Sequence, residues 1–562
     1  MASKKIRIIG GSAAGAKAAG RARRMDERAD IAILQNVPDL AMATCAYPYY
    51  AQGIVKRRDF LFKTPDYFLK AKNVEALTGV EALEIDRSAK EVLCREVGAG
   101  RLFKRSYDKL ILATGARPRR LGVEGEGLNG VSALHTLGDS DYFKSVCKGE
   151  NISKAAVIGG GLVGMEACEA LALSGARVTV AEFSDQILPM LDWDLAALVQ
   201  NHCEQKGVRV RLNVSVERFS GQNGVLKAVH FTDGTQMECG LAIVAAGVAP
   251  HAELAEKAGL SIGPTGGIET DAHMRTSDPD IYAAGDCAQK IDRITGEPVL
   301  SPMGDLANLE GRVAGENAAA GDRAVFNGVL RTGICKIFDF SAGAAGVSQK
   351  QARRLGLDCL ASLCAGSDKP FFMNPGSLVS RMTADKKDRT LLGFQCVGTG
   401  DVSRQAATAA AAIYGKMSAS DAAGLDMPYA PPFSPAIDHF IAAAHVLTNQ
   451  ADHLFSPVSS FEVKKAAGGK NPPFILDVRD PGEYRSIRLG IGETLIPVGD
   501  LRQNPDALPR DKNAAIVCYC AVSARAYEAS RILLANGYEN VRVMEGGIAA
   551  WPFEMEKTGA RA

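Results

Sequence analysis

Ala155-Ala156-Val157-Ile158-Gly159-Gly160-Gly161-Leu162-Val163-Gly164 reads as an apolar strand that runs into a glycine-rich turn and opens a helix of small residues. The pattern predicts a helix to about Ser174 and a second strand over Arg177–Ala181. Strand, turn, helix, strand is a unit that holds a dinucleotide by its pyrophosphate, because the turn and the helix N-terminus present backbone N–H groups to negative charge. Gly159, Gly161 and Gly164 fill the three fingerprint positions. Glu182 stands at the end of the second strand, about twenty residues past the turn, where a carboxylate can accept from a ribose 2′-hydroxyl. The plainer reading of Glu182 is a solvated surface carboxylate. Phe183-Ser184-Asp185 brings no Arg or Lys for a 2′-phosphate, so NADH is expected rather than NADPH. Glu166, in the first turns of the helix, is a further candidate contact.

The same pattern stands about 150 positions upstream, and two such units are far more specific than one. Ile6–Ile9 leads into Gly10-Gly11-Ser12-Ala13-Ala14-Gly15, a helix to about Met25 and a strand over Ile31–Leu34. Ser12 replaces the middle glycine. Gln35 holds the strand-end position, where it can hydrogen-bond a ribose without the strength of a charged acceptor. Each unit is followed by a strand that ends in a crossover: Leu110–Ala113 into Thr114-Gly115, and Leu241–Ala245 into Ala246-Gly247. Farther on, Thr276-Ser277-Asp278-Pro279-Asp280-Ile281-Tyr282-Ala283-Ala284-Gly285-Asp286 is a strand that delivers a carboxylate. Asp286 there suits the ribityl hydroxyls of a flavin, or is a helix N-cap, or both. The first turn and this second half together indicate FAD, with Ala307 as a further contact.

The remaining chain bounds the architecture. At 562 residues the length suggests about four compact units. The expected fold is α/β: two Rossmann-like nucleotide-binding domains, an α+β domain and a C-terminal α/β domain. We place the FAD domain at 1–114 with 241–324 and the NADH domain at 115–240. The third domain spans 325–447 and the last 458–562, with a linker near 446–458. A net charge of +1 gives no global electrostatic case for nucleic acid or an acidic membrane. With no signal-like or membrane-length apolar run, the chain is expected to be soluble and cytoplasmic. The 13 cysteines follow no framework, and Cys518-x-Cys520 is a lone pair, so reduced thiols and no metal are expected.

Two of these cysteines are placed for chemistry. Ala43-Thr44-Cys45-Ala46-Tyr47-Pro48 lies just past the first βαβ unit, within possible reach of a flavin ring, and the next cysteine is Cys94. If Cys45 is redox-active, its partner sulfur comes from a substrate or a thiol cofactor. In general a thiol at a helix N-terminus is more readily ionised, which supplies the thiolate needed for attack. A single cysteine read alone is more often an inert core residue. Near the C-terminus, Ile516-Val517-Cys518-Tyr519 is a strand entering Cys520-Ala521-Val522-Ser523-Ala524-Arg525. That six-residue loop can ring a sulfur with N–H groups, with the helix N-terminus and Arg525 favouring an anion. Lys17, Arg21 and Arg24 share one face of the first helix, which by itself reads as a solvated basic face.

Residues 1 to about 445 resemble the single-cysteine branch of the flavin disulfide reductases. Ile475-Leu476-Asp477-Val478-Arg479, Glu483-Tyr484, the Cys520–Arg525 loop and Gly546-Gly547-Ile548-Ala549-Ala550-Trp551 resemble a rhodanese domain. The whole chain is similar to the coenzyme A persulfide/polysulfide reductases that carry such a domain. The resemblance implies a homodimer in which Cys45 forms a mixed disulfide with coenzyme A beside FAD. It implies that Tyr429 reaches the partner's site as a proton donor, and that Arg24, with Arg21 on its face, lies near the coenzyme A phosphates. Ala41 and Thr44 stand where the family has Ser and Asn, and Phe372-Met373-Asn374-Pro375 where it has a Tyr-Tyr-Pro segment, so contacts to the thiol cofactor are altered. Ser523 replaces the usual loop glycine, and Ile487-Arg488 the usual Gly-His. The activity expected is NADH-dependent reduction of a persulfide or polysulfide sulfur–sulfur bond, with Cys520 delivering sulfane sulfur. The alternatives are a coenzyme A disulfide reductase, a sulfurtransferase with a regulatory flavin domain, and a tail that only docks a partner.

Overall fold

The computed structural model describes residues 3–61, 63–149, 152–503 and 507–557. The chain divides into two compact units, one of residues 1–183 and 214–329, the other of residues 184–213 and 330–562.

The first unit holds both glycine turns. Its first sheet is parallel throughout and runs Ile281–Ala283, Lys109–Leu112, Lys5–Ile9, Asp30–Gln35, Glu75–Thr78. Both faces are covered, so the strands are continuous apolar runs rather than alternating ones, and Ile6, Ile8, Leu110, Ile111 and Ile281 are all fully buried. The N-terminal strand is central, and the strand from residue 281 joins the edge of a sheet begun nearly the whole unit earlier. A second parallel sheet orders Arg177–Ala181, Lys154–Ile158, Leu241–Val244 and Val131–Ser132. Its glycine-turn helix spans Leu162–Leu173, and that of the first sheet Ala13–Met25. The predicted strands and helices of both units are thus present with ends shifted by about one residue, the usual fraying.

In the second unit an antiparallel sheet orders Gly333–Ile337, Phe340–Gly346, Leu391–Gly398, Ser377–Asp385 and Cys359–Ser367. Helices Val402–Tyr414 and His439–Ala451 belong with it. The latter corrects one expectation: residues 446–451, assigned to a linker, are the end of a helix whose inner face buries Phe440, Ala444 and Leu447. The last domain is a parallel sheet in the order Pro457–Val458, Val541–Met544, Ile516–Tyr519, Phe474–Asp477, Thr494–Leu495. Asp477 and Arg479 form a fully buried ion pair beneath it, and the Tyr519 hydroxyl donates to the same carboxylate at 2.8 Å. No helix among the described residues is long and apolar enough to cross a membrane.

Candidate active site

The two glycine turns are built alike. Gly10 has φ +99°, and a Cβ there would sit 2.1 Å from the Ala113 carbonyl oxygen; Gly159 has φ +107° and its Cβ would sit 2.4 Å from that of Ala245. In each case the turn packs directly on the neighbouring crossover strand, so only glycine fits. Gly15 and Gly164 close the helix onto the turn: their Cβ atoms would lie 1.8 and 2.0 Å from the carbonyl oxygens of Gly10 and Gly159. Neither helix has a side-chain cap, Ser12 and Gly161 leaving the first-turn N–H groups to an anion. Glu182 Oε2 accepts the Gly160 N–H at 2.7 Å, and Gln35 Oε1 accepts that of Gly11 at 2.7 Å. Both strand-end side chains therefore brace their own turn. For Gln35 this uses the carbonyl oxygen and leaves the amide toward the Asp39 carbonyl oxygen at 3.4 Å.

The far half of the first site is clamped as well. Gly285 donates its N–H to Glu310 Oε2 at 2.7 Å, and its carbonyl oxygen accepts from Lys290 Nζ at 2.7 Å. Glu310 and Lys290 are both buried, 3.3 Å apart, and burial pushes the Glu310 carboxyl up to about 7. Asp286 follows directly, its carboxyl also raised by burial. Gly285 lies against Ala14 and Ala307, which brings Ala307 to the first turn. Thr114 Oγ1 donates to the His251 carbonyl oxygen, and the Gly115 carbonyl oxygen accepts from His251 N at 2.9 Å, so the crossover is fastened. Gly247 has φ +88° in the matching crossover. These residues fit an adenine dinucleotide at each turn, with Asp286 positioned for a polyhydroxyl chain at the first.

Cys45 sits in a short 3-10 turn, Thr44–Ala46, and is exposed. The preceding loop ties it to the first glycine turn: Ala41 N–H donates to the Gly11 carbonyl oxygen at 2.7 Å, and Ser12 Oγ to that of Met42 at 3.3 Å. Ala41 has φ +49°, a left-handed conformation held by that bond. The helix Tyr47–Gln52 follows, with Pro48 in its first turn and Tyr47 and Tyr50 buried against Phe60. Tyr49 reaches the second nucleotide unit, its hydroxyl 3.2 Å from Glu166 Oε1. Burial pushes Glu166 up to about 7, the Tyr49 hydrogen bond opposing it. The segment carrying Cys45 thus touches both glycine-turn units.

Not every candidate is free. Arg21 is paired with Glu316 at 2.5 Å, whereas Arg24 is exposed and Lys17 half-buried. Tyr429 is exposed and lines a cleft with Met427, Ile437, Ile441 and His445. At the C-terminal loop Cys520 is buried, and its carbonyl oxygen accepts from Ile548 N at 3.0 Å. Ser523 takes φ +77° at the head of the helix Ala524–Ala535, and its hydroxyl donates to the Met544 carbonyl oxygen at 2.8 Å. Arg525, expected to meet substrate, forks onto both oxygens of Glu483 at 2.6 and 2.8 Å. That pairing holds the Glu483 carboxyl down at about 2. Tyr49, Lys290, Glu310 and Glu483 were not singled out as site residues in the sequence, and only Glu483 stood within a quoted motif, Glu483-Tyr484.

Residues 4–297 match the family model described as pyridine nucleotide-disulphide oxidoreductase, 332–441 the dimerisation domain of that family, and 460–553 the rhodanese-like domain. The chain belongs to the pyridine nucleotide-disulphide oxidoreductases. A relative from Methanocaldococcus jannaschii named NADH oxidase is 34% identical over 76% of this oxidoreductase and 95% of its own length. The NAD(P)H coenzyme A polysulfide/persulfide reductase of Pyrococcus horikoshii is 32% identical over 79% and 98%. Among solved structures, the NAD-dependent persulfide reductase from A. fulgidus matches with a TM-score of 0.92 and 38% identity, covering 97% of this oxidoreductase and 100% of that chain. The rhodanese-like domain is therefore part of the shared architecture and not an isolated addition.

Proposed function

We propose that this oxidoreductase uses NADH to reduce the sulfur–sulfur bond of a low-molecular-weight persulfide or polysulfide, releasing sulfide. The observation that carries the reading is the seating of Cys45, an exposed thiol tied by Ala41 and Met42 to the first glycine turn and by Tyr49 to the helix that follows the second glycine turn. Gly10–Gly15, Ala113–Gly115, Gly285, Asp286 and Ala307 would hold FAD; Gly159–Gly164, Glu166, Glu182 and Gly247 would hold NADH. When bound, the flavin supplies the conversion of a nicotinamide hydride into an electron pair for sulfur. The Cys45 thiolate attacks the sulfane sulfur of RSSH, forming Cys45–S–SH and releasing RS⁻. Two electrons then cleave the Cys45 persulfide to the thiolate and HS⁻, so that NADH and RSSH yield NAD⁺, a proton, RS⁻ and HS⁻.

Coenzyme A is the thiol we assign to R, with the exposed Arg24 near its phosphates and Ala41 and Thr44 shaping its end beside Cys45. The enzyme acts as a cytoplasmic homodimer, with Tyr429 donating a proton in the partner's site. Cys520 takes sulfane sulfur from a donor such as thiosulfate, releasing sulfite, and passes it to that thiol. Arg525, committed to Glu483, acts by shaping the loop and not by binding the donor.

The test is NADH oxidation with coenzyme A persulfide against coenzyme A disulfide, in wild type and Cys45→Ser. Persulfide-dependent sulfide release should fall at least about a hundredfold in the variant. Unchanged release would remove Cys45 from the mechanism, and a preference for the disulfide would make the enzyme a coenzyme A disulfide reductase.

A further inference from the structure

The antiparallel sheet of the second unit ends on the strand Cys359–Ser367. An edge strand leaves alternate N–H and C=O groups without a partner strand. Leu363 faces Arg381 across the neighbouring strand, and the Leu363 N–H donates to Glu545 Oε1 at 2.9 Å. Glu545 belongs to the rhodanese-like domain, one residue past the strand Val541–Met544. A Cβ on the following residue, Gly546, would lie 2.3 Å from Leu363 Cδ2, so the two segments are in contact.

The other flank of the same segment is stitched to the sulfur loop. Ile548 N–H donates to the Cys520 carbonyl oxygen and Ala549 N–H to that of Ala521, each at 3.0 Å, while Ser523 Oγ donates to that of Met544 at 2.8 Å. Residues 544–549 are therefore a rib with the persulfide loop on one side and the sheet edge on the other. Glu545 provides a charged bond to that edge. Burial pushes the Glu545 carboxyl up and Arg381 beside it pulls it down, while Arg381 is itself paired with Asp194 and 4.0 Å from Asp192.

We infer that Glu545 is a positioning residue for Cys520: its bond to the Leu363 N–H braces the rib that shapes the sulfur-carrying loop against the dimerisation-type sheet. The inference rests on the reading of Cys520 as the sulfur carrier, but the brace itself is measurable without turnover. A loop that must keep several N–H groups aimed at one sulfur is sensitive to slack in its support.

The test uses the full-length enzyme as Glu545→Gln, Glu545→Asp and Glu545→Ala. Gln keeps an acceptor oxygen at the same reach, Asp keeps the charge but falls one methylene short, and Ala has neither. Hydrogen exchange of peptides covering 360–366 and 519–526 should rise about tenfold in Asp and Ala, the loss of one charge-assisted bond, and stay near wild type in Gln. Thiosulfate-to-cyanide transfer should fall about tenfold in kcat in Asp and Ala with KM little changed, while NADH-driven sulfide release from a supplied persulfide holds. Exchange unchanged in Asp and Ala overturns the inference, as does Asp behaving like wild type while Gln behaves like Ala, which assigns the effect to charge alone. If exchange follows the expected order but wild type forms no thiocyanate, the brace stands and the sulfur-carrier reading fails.

Discussion

The Tyr49 hydroxyl lies 3.2 Å from Glu166 Oε1, joining the helix that follows Cys45 to the helix that follows the second glycine turn. Glu166 is lifted from 4.5 to about 7 by burial, with the Tyr49 bond favouring the ionised form. A carboxyl raised on folding binds its proton more tightly in the native state, so its stabilising contribution is present below pH 4.5 and lost as pH rises through about 7. NADH-driven flavin reduction, followed by stopped flow, should therefore show a transition near pH 7 that disappears in Glu166→Gln. Tyr49→Phe should move the transition upward. Superimposable profiles for all three proteins would dismiss this coupling.

Substitution at the two turns should separate the two nucleotides. Gly159→Ala puts a methyl 2.4 Å from a carbonyl oxygen at φ +107°, beyond the 1–3 kcal/mol that a strained backbone alone costs, so ~3 kcal/mol or more is expected locally. The purified variant should keep its flavin absorbance and raise KM for NADH at least tenfold. Gly10→Ala, with the methyl 2.1 Å from the Ala113 oxygen, should purify without flavin. Flavin absorbance per chain and an NADH titration distinguish the outcomes.

Glu182 should set the nucleotide preference. Its carboxylate braces the Gly160 N–H and stands where a 2′-phosphate would meet like charge. Glu182→Ala is expected to lower kcat/KM for NADH about tenfold, the cost of one charge-assisted hydrogen bond, and to lower that for NADPH less. Steady-state rates with both nucleotides measure the ratio. Equal losses would show that Glu182 serves only the turn.

Ser523 offers a prediction about the sulfur loop. It adopts φ +77° and donates to the Met544 carbonyl oxygen. Ser523→Ala keeps the strain and loses the bond, a cost of about 1 kcal/mol. Ser523→Gly loses the bond but also a left-handed strain of about 1–2 kcal/mol, so it should be neutral or slightly stabilising. Urea unfolding followed by tryptophan fluorescence reads both, and a loss in Ser523→Gly as large as in Ser523→Ala would show that the hydroxyl outweighs the strain.

The nucleotide-binding units were legible because their requirements are local. Gly10 and Gly15, or Gly159 and Gly164, must be glycine to let backbone meet backbone within a few positions of chain. Cys45 was legible by its distance from the first unit, although the bonds that seat it, Ala41 to Gly11 and Ser12 to Met42, gave no pattern. Long-range pairings left no trace at all. Arg21 could be placed on a helix face but its partner Glu316 lies 295 positions on, and Arg525 read as an anion contact because Glu483, 42 positions before it, was noticed only as part of a motif. The linker was expected near 446–458, whereas burial of Phe440, Ala444 and Leu447 continues the helix to Ala451.

The helix Ala13–Met25 lies so close against Gly304–Ala320 that Gly311 and Gly315 rest on the backbone of Ala14 and Ala18. A nascent chain leaving the ribosome cannot make that contact until residue 320 has emerged. The NADH-binding segment, whose sheet closes with the strand at 241–244, has its pieces in hand well before. Synthesis itself therefore sets an order in which the first nucleotide turn to be translated is the later of the two to have all its packing partners available.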